Sequence, residues 1–292
     1  MNVRVGSYNV KNLFAKADIV PGSKTRPKPE SEMKALGQVI RKMDCDVLML
    51  QECSSEKTLN AFVAQQGLSE LYPHVSLIPG NSERGINVAV MSKFPIETFS
   101  NKDHKIALGD GYGDSEFSRD LLRADIDVDG KPGADLTVYT THSKSRRPAA
   151  EGDTPSDVQR LGEAKAIREI VTADMEKIPS RMWLVTGDMN DNTDDASVQA
   201  MLNPTDGGEK WEDSLAHLPS DQRNTWPANP NLSHGFDPEQ FDHILYAESK
   251  AGQITEKTIH RFPRQPEGSE FTWLNSAASD HIPVSVNVEI IP

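Results

Sequence analysis

Apolar residues come mostly in short runs bounded by turn formers, at residues 3–8, 47–50, 86–91, 121–128, 136–139, 182–185, 244–246 and 284–290. Their length and β-branched content predict strands. Val284, Val286, Val288 and Ile290 alternate strictly, as in a half-buried strand, whereas Val47-Leu48-Met49-Leu50 is continuously apolar, as in a strand covered on both faces. Helices must supply part of that cover. The clearest spans 157–176, where Val158, Leu161, Ala164, Ile167 and Val171 recur at helical spacing and Ser156, with Gln159 three residues on, is the expected cap. Residues 32–43, with Met33, Leu36, Ile40 and Met43 on one face, and 56–66 predict two more. The irregular stretches 20–29, 109–114 and 226–238 exceed ordinary connections, and loops of that length often carry function. No repeat, low-complexity tract or linker divides the chain, so residues 1–292 are expected to form one α/β domain.

Composition narrows the function classes. A hydrophobic fraction of 36% with 26% charged residues fits a water-soluble globular chain, and no stretch approaches the roughly 20 apolar residues that span a bilayer, so no membrane insertion is expected. The net charge of −13, from 31 Lys+Arg against 44 Asp+Glu, has the wrong sign for wrapping a polyanion, unless carboxylates hold a cation that attracts phosphate. The chain opens Met1-Asn2-Val3-Arg4-Val5 without a basic-then-apolar leader, which predicts the cytoplasm, or export if a leader has been removed. Cys45 and Cys53 flank a strand that would hold them beyond the roughly 7 Å a disulfide tolerates, so both are expected as free thiols.

Polar residues stand where the predicted strands end: Asn9, Glu52, His142, Asp188 with Asn190, Asp242, and Asp280 with His281. Singly, each has an ordinary explanation as a turn former, a solvated carboxylate or a satisfied histidine. Together they carry more, because strand ends are where α/β folds place ligands. The blocks Ser7-Tyr8-Asn9-Val10, Leu50-Gln51-Glu52, Gly85-Ile86-Asn87-Val88-Ala89-Val90-Met91-Ser92, Thr141-His142, Gly187-Asp188-Met189-Asn190-Asp191, Phe241-Asp242-His243-Ile244-Leu245 and Ser279-Asp280-His281 follow one another along nearly the whole chain. In this the chain resembles the endonuclease/exonuclease/phosphatase superfamily. The resemblance implies a four-layer α-β-β-α sandwich of two mixed sheets with helices on the outer faces, and an active site at one edge of the paired sheets.

It also implies a hydrolase acting on phosphoester bonds. Such a site must neutralise phosphate charge, generate hydroxide and stabilise the leaving oxygen. Glu52, Asn9 and Asp280 are the expected ligands of Mg2+ or Mn2+, hard cations that take one or two carboxylates and keep several waters. Asp188 would deprotonate the attacking water, Asn190 would donate to a phosphate oxygen, and Asp280 would fix His281 so that its other ring nitrogen faces the phosphate. Asp242 matches a family aspartate near that histidine. His142 resembles the deoxyribonuclease and sphingomyelinase branches and would meet the phosphate as a cation or acid; the residues beside the 86–91 strand, from which the resemblance implies a glutamate partner, are Glu83, Arg84 and Gly85 and give no clean match.

For substrate, Arg119 is a candidate phosphate clamp, and Lys144, Arg146 and Arg147, with Lys11, Lys16, Lys24, Arg26 and Lys28, could form basic rims on an acidic protein. Trp226, Phe271 and Trp273 could stack on bases. The expected activity is endonucleolytic cleavage of DNA without strong sequence preference, with nucleic acid as the partner and no protein partner implied. The alternatives are hydrolysis of a small or lipid phosphodiester, of the sphingomyelin or inositol phosphate type, or an inactive binding module.

Overall fold

The computed structural model describes residues 1–19, 21–22, 25–109, 111–147, 154–205, 207–226, 238–262 and 274–291. In chain order the elements are β1 (Asn2–Leu13), α1 (Glu30–Met43), β2 (Val47–Cys53), α2 (Glu56–Gln65), β3 (His74–Ser76), β4 (Asn87–Ser92), β5 (Ile96–Ser100), β6 (Ile106–Ala107), β7 (Asp114–Ser115), β8 (Leu121–Ile126) and β9 (Leu136–His142). There follow α3 (Ser156–Lys177), β10 (Met182–Asp188), α4 (Ala196–Leu202), β11 (Trp211–Asp213), β12 (Asp242–Ala247), β13 (Ile254–Ile259), α5 (Leu274–Ala278) and β14 (Val284–Glu289).

Two six-stranded sheets result, in the orders β13-β14-β1-β2-β4-β3 and β11-β12-β10-β9-β8-β5, with β6 and β7 as a separate hairpin. Both sheets are mixed: β1 runs parallel to β2 and antiparallel to β14, and β10 runs parallel to β9 and antiparallel to β12. The period-2 side-chain alternation of strands explains the layers. Val3, Val5, Val47 and Met49 of the first sheet meet Val138, Leu184 and Ile244 of the second in one core between the sheets. The opposite faces are covered separately. Tyr8, Leu48 and Leu50 pack under Leu36, Ile40 and Phe62 of α1 and α2, while Tyr139, Trp183 and Leu245 pack under Ile167 and Val171 of α3. The outcome is the expected four-layer α-β-β-α sandwich. No helix among the described residues is long and apolar enough to cross a membrane.

The three expected helices form, with adjusted ends. Ser156 is not the cap of α3: Pro155, extended at φ −53° and ψ 138°, takes that position, and the Ser156 hydroxyl donates to the Arg147 carbonyl at 2.7 Å. Ser55 caps α2, its hydroxyl accepting from the Thr58 amide at 3.2 Å. Cys45 and Cys53 are both free thiols and fully buried.

Candidate active site

Even-numbered positions of β9, β10 and β12 and odd-numbered positions of β1 face the inter-sheet core, as Val138, Leu184, Ile244 and Val5 show. His142 and Asp188 are the last residues of their strands, Asp242 is the first of its strand, and Asn9 is the last of β1 before its register with β2 shifts, so continuing the alternation beyond the apolar core converges four polar side chains at one end of the sandwich. Their floor is also polar and bridges the sheets: the Gln51 amide donates to Ser7 Oγ at 3.2 Å and to Thr140 Oγ1 at 3.0 Å.

Asp188 is the centre of the cluster. Its Oδ2 accepts from Asn9 Nδ2 at 2.8 Å and lies 3.5 Å from His142 Nε2 and 3.7 Å from His281 Nε2, while Oδ1 accepts from the Asn190 amide at 2.9 Å. Burial lifts this carboxyl to about 6; the Asp242 charge adds to the rise and the His281 charge opposes it. The preceding Gly187 makes the close approach possible, because at φ 140° a Cβ there would lie 2.1 Å from the Thr141 carbonyl oxygen.

His281 Nδ1 is held by Asp242 Oδ2 at 2.8 Å. This corrects the expectation that Asp280 would fix the ring. Asp280 is instead exposed, in a bend, and lies 3.7 Å from Lys11 Nζ, whereas Asp242 reaches the ring from β12. Burial alone would lower the His281 pKa, but the Asp242 and Asp188 carboxylates push it up to about 10, so it is a cation at neutral pH. His142 is the reverse. Burial first, then the Arg119 and His281 charges, hold it well below the ordinary imidazole value, and its Nδ1 is buried with no partner among the described residues. The free site therefore presents His142 neutral, and of the two expected roles, cation or acid, the cation is not the form it offers.

Glu52 reaches the site through a break in the strand alternation. Leu48 and Leu50 face α1 and α2, Gln51 faces inward, and Cys53 again faces the helices, so one extra residue is accommodated at Glu52, where the β1–β2 and β2–β4 registers shift and φ is +65°. Such a bulge re-aims a side chain. Its neighbour β1 is irregular at the same level, with Lys11 and Asn12 at φ 49° and 53°, and the Asn12 amide donates to Glu52 Oε2 at 2.9 Å. Lys28 braces this segment: its buried Nζ donates to the carbonyls of Val10 and Lys11, each at 3.0 Å. Nothing in the charge pattern distinguished Lys28 from its solvated neighbours.

The set fits a hard divalent cation in its chemistry. Glu52 has one oxygen without a partner among the described residues, and with Asn9 and the half-exposed Asp280 it would supply only oxygen donors. A tighter carboxylate group, Asp127, Asp129 and Asp135, lies in the β8–β9 turn. That turn is at the opposite end of β9 from His142, and its carboxylates accept backbone amides of the same turn.

The candidate substrate contacts divide. Arg119 is buried and donates to the Ser143 carbonyl at 3.0 Å, the same oxygen that accepts from Asn190 Nδ2 at 3.0 Å. The Lys144 amide donates to Glu163 at 2.9 Å, and its side chain is half-buried. Arg146 is enclosed by carboxylates: Nε meets Asp191 at 3.0 Å, Nη1 meets Glu239 at 2.7 Å, Nη2 meets Asp195, and the guanidinium lies over the Phe241 ring. Arg147 is exposed. Trp226 stacks on Phe241, with ring centroids 5.5 Å apart; Phe271, Trp273 and Lys24 lie outside the described residues.

The Endonuclease/Exonuclease/phosphatase family model matches residues 6–281. The chain belongs to this family. Its members are phosphoester hydrolases, and the fold is theirs. A truncated TDP2 of Caenorhabditis elegans superposes with a TM-score of 0.62 at 18% identity, covering 98% of this chain and 97% of that one. The human nocturnin catalytic domain, with a bound sulfate anion, gives 0.61 at 14% identity over 99% of this chain and 95% of that one. A mannosyl-6-phosphatase of Bacteroides thetaiotaomicron gives 0.59 at 16% identity, with 98% and 100% covered. At these identities the likeness to other family members is one of fold. No curated protein matches the chain in sequence.

Proposed function

We propose that the protein is a divalent-metal-dependent phosphodiesterase that cleaves DNA as an endonuclease without strong sequence preference, its catalytic domain occupying residues 1–292. The observation that supports it most is the convergence of Asn9, His142 and His281 on Asp188, with His281 backed by Asp242. In this reading Asp188 orients the attacking water and accepts its proton, being ionised at neutral pH yet more basic than an exposed carboxylate. His281, charged and held in one orientation by Asp242, stabilises negative charge developing on the phosphate and leaving oxygen. Asn190 offers its remaining amide hydrogen, and neutral His142, whose Nε2 lies 3.5 Å from Asp188, completes the ring of groups around an anion. A Mg2+ or Mn2+ ion on Glu52, Asn9 and Asp280 would neutralise phosphate charge and acidify a bound water.

The test is incubation of the protein with plasmid, linear single strands, RNA, sphingomyelin and bis-p-nitrophenyl phosphate, in Mg2+, Mn2+, Ca2+ or chelator. Plasmid nicking that disappears in chelator and returns with Mg2+ or Mn2+ is the expected result, and full activity after exhaustive chelation contradicts it. Mn2+ should also raise the melting temperature by mass action, and Glu52→Ala should abolish that rise.

A further inference from the structure

An open cavity of about 640 Å3 adjoins the site. Its lining includes Lys11, Arg26, Lys28, Arg84 and Arg147 against the single carboxylate of Glu32. Lys28 Nζ is buried on backbone carbonyls 3.4 Å from Glu32, so that charge is largely balanced. Four cations remain facing a common space, on a chain whose net charge is −13. Arg26 and Arg147 have no ion-pair partner among the described residues, Arg84 donates to Asn12 Oδ1 at 2.8 Å, and Lys11 is a loose 3.7 Å from Asp280. Asn12 links this cleft directly to the candidate ion ligand, since its amide holds Glu52. On the Arg146 side the arrangement is inverted, because one guanidinium is surrounded by the carboxylates of Asp191, Asp195 and Glu239.

We propose that the cleft bounded by Lys11, Arg26, Arg84 and Arg147 is a subsite for a non-scissile phosphate, so that a nucleic-acid strand leaves the catalytic centre on that side and not over Arg146. This rests on the phosphodiesterase reading and deepens it. The preferred substrate carries at least one phosphate beyond the one attacked. A zwitterionic phospholipid headgroup, whose second charge is positive, would be disfavoured by the same cations.

The test compares the parent with Arg26→Ala/Arg147→Ala, Arg26→Glu/Arg147→Glu and the charge-preserving Arg26→Lys/Arg147→Lys, all at exposed positions. Substrates are a single-stranded DNA oligonucleotide and bis-p-nitrophenyl phosphate with Mn2+, and oligonucleotide binding in chelator is followed by anisotropy at several salt concentrations. Each phosphate contact contributes about 0.7 to the salt slope of single-strand binding. Because both arginines face one phosphate, the alanine pair should flatten the slope by up to about 0.7 and lower the ratio of oligonucleotide to small-diester kcat/KM at least about fivefold, mainly through KM. The glutamate pair should lower it further, and the lysine pair should keep the slope. A parental slope and ratio in the alanine and glutamate pairs, with both substrates cut, overturns the subsite and leaves the phosphodiesterase reading intact. Cleavage of the small diester but not the oligonucleotide by the parent overturns the subsite in the same way. Failure of the parent to cut either substrate with any metal overturns the reading beneath it.

Discussion

Strand β12 carries two buried histidine–aspartate pairs on its opposite faces, and they differ in a way that separates structure from chemistry. On the outer face, His243 is closed: Nδ1 meets Asp213 Oδ2 at 2.8 Å, Nε2 meets the Asp191 carbonyl at 2.9 Å, and Gln240 donates to the same Asp213 oxygen. On the inner face, Asp242 holds His281 Nδ1 at the same 2.8 Å, yet His281 Nε2 stops 3.7 Å from Asp188 and Asp242 Oδ1 is buried without a partner among the described residues. Buried polar groups are ordinarily satisfied, so unmet atoms beside a cation and a raised carboxyl mark a place built for something that binds. A polar cluster with every valence met is part of the core.

The largest effects that test this contrast come from removing each ring. His281→Ala strands the buried Asp242 carboxylate and should cost stability, but beyond that it should lower kcat on DNA and on a small diester by at least about 100-fold when assayed well below its melting temperature, given the usual size of electrostatic and acid–base contributions. His243→Ala should likewise cost about 3–5 kcal/mol of stability, because it too strands a buried carboxylate. Turnover measured well below the melting temperature should then stay within a few-fold of the parent. A His281→Ala enzyme with parental kcat would break the distinction, as would a stable but inactive His243→Ala enzyme.

How much of this could be read from the residues follows from where the signal lies. The buried strands β1, β2, β4, β8, β9, β10, β12 and β14 announce themselves by apolar content, and the end of each alternating face marks Asn9, His142, Asp188 and Asp242. Besides the two-residue strands of the β6–β7 hairpin, the strands that escape the pattern are β3, β5, β11 and β13, the edges of the two sheets. Edge strands need little apolar surface and tolerate polar residues, as Glu97 and Ser100 of β5 show. Pairings across the fold were equally hidden. Sequence adjacency pointed His281 at Asp280, whereas the partner comes from β12, and a run of cations suggested a rim at Arg146, whose carboxylate partners lie 45 to 93 positions away. Ser279 stood inside a quoted motif without a role, and only its contacts reveal one.

The closed pair should appear in the pH dependence of stability. Burial alone would raise Asp213, but His243 and the surrounding donors hold it below its ordinary value; burial alone would lower His243, but Asp213 raises it. The Asp213 contribution is therefore present above about 3.8 and lost as pH falls through its depressed value. The His243 contribution is present below about 6.5 and lost as pH rises through its raised value. Asp188, raised and not lowered, has the sign opposite to Asp213: its contribution is present below about 3.8 and lost as pH rises through about 6. Urea unfolding across pH 4 to 10 should show the stability gap between the parent and Asp213→Asn widest between about 4 and 6.5 and narrowing at alkaline pH. A gap independent of pH would mean that the closed pair does not titrate on folding.

The finest comparison lies in the hydroxyls that support each pair. Ser279 is buried, donates to the Asn9 carbonyl at 2.7 Å and accepts from the His281 amide at 3.2 Å, so it ties the backbone of the cationic histidine to the end of β1. Thr193 Oγ1 lies 3.2 Å from Asp213 Oδ2 and 3.0 Å from Gln240 on the closed side. Loss of either hydroxyl removes one ordinary hydrogen-bonding group, so Ser279→Ala and Thr193→Val should each cost about 1 kcal/mol of stability. Their effects on turnover should differ. A few tenths of an ångström of freedom at His281 loosens a group that must meet developing charge, and roughly 3- to 10-fold in kcat corresponds to only about 0.7–1.4 kcal/mol of transition-state stabilisation. Thr193→Val touches no group with an unmet valence and should leave kcat unchanged. Equal kcat in the two variants, at equal cost in stability, would show that positioning of His281 does not depend on the Ser279 tie and would confine the contrast between the two faces of β12 to the rings themselves.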